Sequence, residues 1–399
     1  MTGPLAGVRV LDFTWVGAGS LTTKLLADHG ADVLKIESSV HIDSLRLNPP
    51  FAGGVRGPNR SGYFAERNSN KRSVCLNLRE AQGQALARRL AADCDIVANN
   101  FRPGVMERFG LGYEDIRQIR PDVIYLAMSM QGSAGPEREY LGYGLTIGAL
   151  VGLQHLTGLP DRYPVGTGTN YPDHVPNPCH AAFAVLAALR HRRRTGEGQC
   201  IDIAQTEPTI ATIGTTVLDY TVNGVVRERE GNGHPQWAPH GLYRCAGDDR
   251  WIAIAVRSDA EWLALADVLG LDAERYARNR HEHAAELDEL VQRGTSGRDA
   301  VDLAARLQQR GVAAGPVQNS ADLVDTDPQL AHRGHWVSLR HPEMGTSRYG
   351  MPPFRLSATP GELRTAAPVL GAHTREVLTE VLGMGETELD TLDAAGVLR

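Results

Sequence analysis

The first 200 residues alternate between short apolar runs and amphipathic segments, and this alternation constrains the fold more than any other feature. The run Val8–Phe13 has the character of a buried strand, and Ser20–His29 carries an apolar face at helical spacing. Gly30 follows, a residue that tolerates the left-handed conformation at a helix end. Further predicted strands are Asp32–Glu37, Arg72–Leu78, Asp95–Asn99, Val123–Met128 and Cys200–Ala204, with helices at Glu80–Ala92 and Pro178–Arg192. Strands separated by helices pair in parallel through right-handed crossovers, so the pattern predicts an α/β fold with a parallel sheet.

Length and a change of pattern divide the chain. At 399 residues it exceeds what one ordinary core contains, which predicts two domains. Residues 132–177 are rich in Gly, Pro and Thr and predict a long loop with short helical pieces. After Gly231 a strand at Trp251–Val256 and a helix at Ala260–Val268 begin a smaller domain. The predicted parts are a large domain over 1–225, a small domain over 226–325, and a C-terminal segment over 326–399 that returns to the large domain, with helices at Thr374–Leu382 and Glu386–Leu392.

Composition and charge argue against several classes of protein. With 41 basic and 47 acidic residues, the formal charge of −6 gives no reason to expect binding to nucleic acid or to a bulk membrane surface. The five cysteines are odd in number and form no CxxC pair, which favours reduced thiols over a disulfide framework. Neither a signal peptide nor an apolar run of membrane-spanning length is evident. These features predict a cytoplasmic location.

A glycine-rich turn near the N-terminus matches part of a dinucleotide-binding fingerprint. Gly17-Ala18-Gly19 follows a predicted strand and precedes a helix, and Glu37 ends the next strand, where an NAD site holds its ribose. Thr22 stands where the third glycine belongs, so the fingerprint is incomplete. A close strand-to-helix turn explains these residues as well as a ligand site does.

Several segments, taken in chain order, point to one family. They are Pro4–Asp12, Leu26–Glu37, Asn68–Ser73, Asn100–Gly104, Thr195–Asp202 and Gly231–Pro235. This ordered set resembles the class III CoA-transferases, the family of formyl-CoA transferase, carnitine CoA-transferase and α-methylacyl-CoA racemase. The resemblance implies a Rossmann-like large domain that binds CoA, a smaller α/β domain and an interlocked homodimer. It also implies acyl-CoA and a carboxylic acid as substrates, with no permanently bound cofactor and no metal.

The resemblance assigns the catalytic role to Asp173, in the segment Asn170–His174 before the helix at Pro178. A carboxylate that attacks a thioester forms a mixed anhydride and releases CoA thiolate, which then attacks the enzyme's own carbonyl. Only a carboxylate can carry CoA itself and exchange it with another acid, whereas Ser or Cys would give a simple acyl-enzyme. Without the resemblance, Asp173 has the features of a helix cap or turn residue.

Other polar residues flank the proposed nucleophile. His174 and His180, with Cys179 between them, include possible zinc ligands, but the further ligands that complete a zinc site are not evident in the sequence. His174 is interpreted either as a residue that orients the acceptor or as a solvated loop histidine.

By the same resemblance, a set of residues forms the CoA site: Val16, Gly17, Ala18, Leu76, Arg79, Asn100, Phe101, Arg108 and Tyr143. The first three lie near the pantetheine end, where backbone N–H groups at a helix start favour negative charge. The asparagine and phenylalanine supply an amide and a flat apolar surface for adenine. The two arginines supply charge-assisted bonds to phosphate, or else are solvated helix residues. The tyrosine matches a position near the thioester.

The chain departs from its relatives at two places. Leu141 stands where some relatives have a lysine for the CoA diphosphate, and nearby Arg138 is a candidate substitute. Gly231, Asn232 and Gly233 resemble an active-site loop that shields the intermediates from water in some members, although the glycine run is shorter here. The alternative for these three residues is a linker between domains.

Three other functions remain open at this point. A racemase of the same family needs an acid/base pair, yet no histidine occurs between Met128 and His155. A catalytically silent acyl-CoA-binding protein would not need Asp173, and an NAD enzyme has the weakest support. The segment 41–59, followed by Arg60, contains Arg46 and Arg56 and is either a solvated loop or a site that pairs a dicarboxylate.

Overall fold

A six-stranded parallel sheet forms the centre of the larger part of the chain. The structure, a computed structural model, describes residues 3–276 and 279–399. The strands are β1 (Arg9–Asp12), β2 (Asp32–Glu37), β3 (Arg72–Cys75), β4 (Ile96–Asn99), β5 (Ile124–Ala127) and β6 (Gln199–Asp202). They lie in the order β3-β2-β1-β4-β5-β6, and all neighbouring pairs are parallel. The predicted α/β class with a parallel sheet is confirmed, with small shifts at the strand ends.

Helices connect these strands. They are α1 (Val16–Asp28), α2 (Gly62–Asn68), α3 (Ala81–Ala92), α4 (Val105–Arg108), α5 (Tyr113–Arg117), α6 (Gly144–Leu150), α7 (Tyr171–His174), α8 (Pro176–Thr195), α9 (Thr206–Ala211) and α10 (Gly214–Asn223), with 3₁₀ turns at Ser44–Leu47 and Ala52–Gly54. Helix α1 begins at Val16 instead of the predicted Ser20, because the glycine-containing turn is itself helical. The predicted long loop contains the two short helices α6 and α7, as expected.

Strands β1 to β5 are buried on both faces, as is typical of parallel sheets that helices cover on both sides. Side chains alternate between the faces, so that Leu11 and Leu34 pack in one apolar cluster while Val10 and Val33 pack in another. Helices α1 and α8 contact each other over the second cluster. The sheet is therefore held between two layers of helices.

The C-terminal segment completes the first of these layers. It contains the hairpin β10 (Trp336–His341) and β11 (Gly345–Gly350) and the helices α15 (Thr374–Leu382) and α16 (Glu386–Ala394). Val377 and Leu389 are fully buried in the apolar cluster that covers β1 and β2. The N–H of Asn77 donates to the carbonyl of Val397 (2.8 Å). The chain thus closes its main core with residues from both of its ends.

A smaller unit has its own core. It comprises residues 155–165 and 227–330, while the larger unit comprises residues up to 154, 166–226 and 331–399. Its elements are β7 (His240–Arg244), β8 (Trp251–Ala255), α11 (Asp259–Leu269), α12 (Ala284–Thr295), α13 (Ala300–Gln309) and β9 (Ala313–Pro316), a 3₁₀ turn at Glu274–Tyr276 and a π-helical turn at Asp322–Thr326, followed by α14 (Pro328–His332). The strands form an antiparallel sheet, and the fully buried Trp262 of α11 belongs to the same apolar cluster as their inward-facing residues. The predicted small domain, 226–325, overlaps this unit, which also includes the short segment 155–165.

Candidate active site

A cavity of about 470 Å³ opens at the carboxyl ends of β1 and β4. These two strands are neighbours from which the chain continues in opposite directions along the sheet, the position at which open parallel sheets bind ligands. The loops that follow the two strands are tied together, because Asn100 accepts the N–H of Trp15 (2.8 Å) and donates to its carbonyl (2.7 Å). The sheet topology therefore places a rigid turn at the base of the cavity.

Most of the predicted site residues come together here. The cavity is lined by Val16, Gly17, Ala18, Arg79, Asn100, Phe101, Tyr143 and Asp173. Leu76 lines an adjoining cavity of about 110 Å³ that shares Trp15, His41 and Arg79 with the first. Arg108 is exposed at the end of α4 and does not line either cavity, although its neighbour Phe109 lines both.

The glycine segment lies in the smaller unit. Gly231, Asn232 and Gly233 are exposed, and the N–H of Gly231 donates to the carbonyl of Gly158 (2.9 Å). Gly231 has a φ of 62°, in the left-handed region that glycine enters at little cost. These residues form a defined turn within their own unit.

Asp173 lies in helix α7 with only 4% of its surface exposed. Its Oδ2 accepts the backbone N–H of Gly144, the first residue of α6, at 3.1 Å. Its own N–H donates to the carbonyl of Asn170 (2.9 Å). The carboxylate is therefore fixed by one amide from a helix start, while it borders the cavity.

Two glycines make room for this carboxylate. A Cβ atom on Gly17 would lie 3.0 Å from the Cβ of Asp173, and one on Gly144 would lie 2.9 Å from its Oδ2 and 2.7 Å from the Cβ of Asn170. Contacts this short would require the neighbouring atoms to shift. Helices α1, α6 and α7 thus meet at Asp173 only because both facing positions have no side chain.

Burial changes the acidity of this group. Removal from water raises the pKa of Asp173 to about 6, and the opposing effects of the Gly144 N–H and the Arg67 charge are smaller. The side chain is still mainly ionised at pH 7, but it is a stronger base than an ordinary aspartate. Such a shift in a cavity is typical of a reactive group.

His174 is held by a neighbouring cation. The guanidinium of Arg67 hydrogen-bonds its Nδ1, which makes that nitrogen the acceptor. Burial and the Arg67 charge lower the pKa of His174 to about 4, so the ring is neutral at pH 7. The interpretation as a solvated loop histidine is wrong, since this ring is half-buried.

The other candidate metal ligands are spread apart. His180 contacts the carbonyl of Pro176 through Nδ1 (2.7 Å), and Cys179 is exposed. Within residues 3–276 and 279–399, no three His, Cys, Asp or Glu side chains converge as a metal site. Similarly, within these ranges no helix is both long and apolar enough to cross a bilayer.

Arg46 and Glu37 form a buried ion pair, which argues against the ligand-binding role considered for each of them. Arg46 is fully buried and donates to both carboxylate oxygens of Glu37 (2.8 and 2.7 Å), with its guanidinium over the ring of Phe64. Arg46 therefore cannot pair a substrate dicarboxylate. Glu37 also accepts the hydroxyl of Ser73 (2.7 Å) and is 3% exposed, so its carboxylate is already bonded within the protein, which argues against the ribose contact of the NAD interpretation.

The structure adds residues that sequence reasoning missed. The ring of Trp15 lies 5.1 Å from that of His41 and 5.6 Å from that of Phe101, so three aromatic rings form one wall of the cavity. Arg102 is an additional exposed cation at its edge, within the quoted Asn100–Gly104 segment. An aromatic residue in the turn between a buried strand and the next helix was a signal that could have identified Trp15.

Leu141, which stands where some relatives have a lysine, lies at the cavity, and Arg138 does not replace that lysine there. Leu141 lines the cavity with 69% of its surface exposed, while Arg138 pairs with Glu139 (3.4 Å) at the surface. The cations that line the cavity are Arg79 and Arg102.

The raised pKa leads to a prediction about Asp173→Asn. A carboxyl group whose pKa is about 6 when folded favours the folded state below its unfolded value of 3.8 and loses that contribution as pH rises through 6. The free energy of unfolding of the variant minus that of wild type should therefore be about 2 kcal/mol larger at pH 7.5 than at pH 4. Urea denaturation at both pH values measures this, with Asp161→Asn, at an exposed position, as control. If variant and wild type differ in free energy of unfolding by the same amount at both pH values, the carboxyl of Asp173 does not have a raised pKa in the folded protein.

Comparison with known proteins places this geometry in a family. The sequence model of CoA-transferase family III matches residues 5–374. The chain is 35% identical to succinyl-CoA–D-citramalate CoA-transferase of Chloroflexus aurantiacus, over 99% of this chain and 98% of that protein. It is 34% identical to succinate–glutarate CoA-transferase of Agrobacterium fabrum, over 95% and 96% of the two chains.

A solved structure agrees with the fold as well as with the sequence. The crystal structure of a CAIB/BAIF family protein from Brucella suis superposes with a TM-score of 0.87 at 32% identity, covering 96% of this chain and all (100%) of that one. The resemblance drawn from the sequence segments is confirmed. The chain therefore belongs to CoA-transferase family III and is a class III CoA-transferase.

Proposed function

We propose that the enzyme moves CoA from an acyl-CoA donor to a carboxylic acid acceptor through an aspartyl-CoA thioester on Asp173. The observation that carries this proposal is a buried carboxylate at the wall of a large cavity, with Gly17 and Gly144 leaving space against it. Its raised pKa supports the role of a nucleophile, because basicity and nucleophilicity rise together.

The proposed reaction proceeds by double displacement. One oxygen of Asp173 attacks the thioester carbonyl, the C–S bond breaks, and a mixed anhydride and CoA thiolate form. The thiolate then attacks the side-chain carbonyl of Asp173, which expels the donor as its carboxylate and leaves aspartyl-CoA. The acceptor carboxylate attacks this thioester, and the same two steps in reverse deliver CoA to it. All bonds broken are replaced by equivalent ones, so no oxidant or external base is needed.

The amide of Gly144 has a role in this sequence. It donates to Oδ2 of the resting carboxylate at 3.1 Å. If the other oxygen forms the anhydride, Oδ2 becomes the carbonyl oxygen and takes up negative charge when the thiolate attacks. A donor that already lies on this oxygen stabilises that charge without reorganisation.

The rest of the cavity suits CoA. We propose that the aromatic wall of Trp15, His41 and Phe101 and the neighbouring Leu76 hold the adenine, and that Arg79 pairs phosphate. Asn100 orients the turn that carries Val16 to Ala18, and Tyr143 stands at the open side, 64% exposed. Arg108 remains a proposed phosphate contact outside the cavity.

Short dicarboxylic acids are the proposed substrates. The relatives reported above are named for succinyl-CoA and D-citramalate and for succinate and glutarate, and the chain aligns with each over nearly its full length. Arg67 is a cation close enough to affect Asp173. The proposal that Gly231, Asn232 and Gly233 cover the site, like the cytoplasmic location, continues to rest on sequence.

A racemase is the alternative within the family. Among the described cavity residues the only histidine is His41, which packs on Trp15 on the aromatic wall. His174 follows Asp173 directly and its Nδ1 is occupied by Arg67. An acid/base pair on opposite sides of a substrate carbon therefore has less support than covalent transfer.

Trapping the intermediate tests the nucleophile. With succinyl-CoA and no acceptor, aspartyl-CoA should accumulate, and hydroxylamine should convert Asp173 to a hydroxamate that peptide mass spectrometry detects. Asp173→Asn should lose transfer and labelling but keep CoA affinity, because the amide preserves the shape. Asp202→Asn, which changes an exposed aspartate bonded to Ser133, is the control for mutation of a carboxylate.

Turnover by wild type without any label at Asp173 would falsify the covalent mechanism. Loss of activity in Asp173→Asn would not decide between transferase and racemase, since both need the carboxylate.

The cations proposed to bind phosphate give a separate test. Arg79→Ala and Arg108→Ala should each raise KM for acyl-CoA about tenfold, the equivalent of one charged hydrogen bond, and change kcat less. Steady-state kinetics and calorimetric titration with CoA measure these effects. Arg117→Ala, at an exposed position of helix α5, should leave both constants unchanged. CoA affinity equal to wild type in either variant removes that arginine from the site.

We also propose a homodimer, interlocked as in the resemblance and built on a Rossmann-like large domain. None of the ten residues of α10, all of them described, is buried. Leu218 is 61% and Val222 is 75% exposed, and strand β6, at the edge of the sheet, also has exposed residues. An apolar helix of this kind is typical of a surface that a second copy covers.

The dimer is tested by sedimentation equilibrium at micromolar concentration. Wild type should sediment at twice the chain mass, whereas Leu218→Glu combined with Val222→Glu should shift the distribution toward monomer, because charge is buried without a partner. Leu263→Glu, at a leucine in the smaller unit that is 54% exposed, is the matched control. A wild-type monomer would refute the proposal.

A further inference from the structure

The backbone is strained where the cavity meets helix α1. Val16 has a φ of 58°, in the left-handed region, although it is β-branched. It lines the cavity and precedes Gly17, whose backbone packs against Asp173. Strain of this kind persists only where surrounding groups hold the conformation in place, and it is concentrated at functional sites.

One buried carboxylate holds this conformation. Asp43 is 1% exposed, and its Oδ1 accepts the N–H of Val16 at 3.3 Å as well as the N–H of Leu45 at 3.0 Å. Its other oxygen lies 3.3 Å from the ammonium of Lys35, which is fully buried in β2.

The same ammonium fixes the other side of the turn. Lys35 donates to the carbonyl of Thr14 at 2.7 Å. The two members of one buried ion pair thus hold both ends of the turn. Lys35 bonds the carbonyl of Thr14, and Asp43 bonds the N–H of Val16. Asp43 lies in the segment 41–59, where the sequence pattern indicated a role only for arginines.

We propose that Asp43 is a positioning residue for CoA transfer, acting through Val16. The Lys35–Asp43 ion pair keeps Val16 left-handed, and this brings Gly17 against Asp173 and directs the turn toward the thioester. Without the acceptor, Val16 returns to negative φ and the turn moves away from the nucleophile. The inference rests on the proposed function, because it assumes that Asp173 is the reacting group.

A double-mutant cycle separates this role from general stability. Glycine adopts positive φ at no steric cost, so Val16→Gly removes the strain that Asp43 opposes. Asp43→Ala should lower kcat by about 10- to 100-fold, as expected for a small misplacement of reacting groups, and change the Kd for CoA less than about twofold. In the Val16→Gly background the same substitution should cost at least about fivefold less.

Two results would overturn the inference. One is an equal loss of kcat from Asp43→Ala in both backgrounds, which would show that Asp43 acts independently of Val16. The other is an equal weakening of CoA binding and kcat/KM at constant kcat, which would assign Asp43 to binding. The Val16→Gly enzyme alone serves as reference for the second background.

The Asp43→Ala substitution removes the carboxylate that pairs with the buried Lys35, and a variant protein that does not fold would give no kinetic result. Asp43→Asn then replaces it, since the amide retains an acceptor oxygen but weakens the ion pair, and the same dependence on Val16→Gly is expected at smaller size. Hydroxylamine labelling of wild type tests the proposed function by itself. If labelling fails while the two positions remain coupled in kcat, the mechanism is wrong and the positioning role stands; if labelling succeeds without coupling, the positioning role is wrong.

Discussion

A buried ammonium group, that of Lys71, joins the elements on which the site is built. Its Nζ donates to Asp12 Oδ2 (3.0 Å), to the carbonyl of Ser20 (2.9 Å), to Thr23 Oγ1 (2.7 Å) and to Asn68 Oδ1 (2.9 Å). These partners belong to β1, α1 and α2, so one charge fixes the first helix relative to the sheet. Burial lowers the pKa of Lys71 to about 8, while Lys71 lowers that of Asp12, and both groups are charged at pH 7. Removal of one partner from such a pair typically costs about 3–5 kcal/mol, because the other charge remains in the interior.

This pair is one of three under the same end of the sheet. Lys35 with Asp43, and Arg46 with Glu37, are also almost completely excluded from water. Apolar residues of equal volume typically stabilise a fold as well as buried ion pairs do. The contribution of these pairs is therefore to orient the groups that they bond rather than to add stability. Hydrogen bonds fix orientations that packing alone leaves free, and here they fix the turn before α1. The base of the cavity is consequently rigid, whereas residues at its mouth, such as Tyr143 and Leu141, are exposed.

The sequence predicted the sheet better than the site, for physical reasons. Strand β2 was predicted with its observed bounds because both of its faces are buried and its apolar run is short and bounded. Asp173 was identified only through the family resemblance. Its partner Gly144 belongs to another helix, and the residues next to Asp173 in the sequence do not indicate that contact. Arg46 was misjudged because the burial of a cation depends on Glu37 and Phe64, whose proximity arises from the fold. The strain at Val16 could not be foreseen, since a valine after an aromatic residue normally continues an extended strand.

The environment of Asp173 satisfies two demands that oppose each other. A nucleophilic carboxylate must be poorly solvated to be reactive, yet it must remain ionised at neutral pH. Full burial without donors would push its pKa above 7 and protonate it, while several N–H donors would stabilise the anion and reduce its basicity. The site supplies one amide from Gly144 and the partial influence of Arg67, and the resulting pKa of about 6 lies between these limits. The glycines at 17 and 144 contribute by their lack of side chains, because a methyl group at either position would occupy the space next to the carboxylate. Reactivity at this position therefore depends as much on the atoms that are absent from the neighbouring helices as on the carboxylate itself.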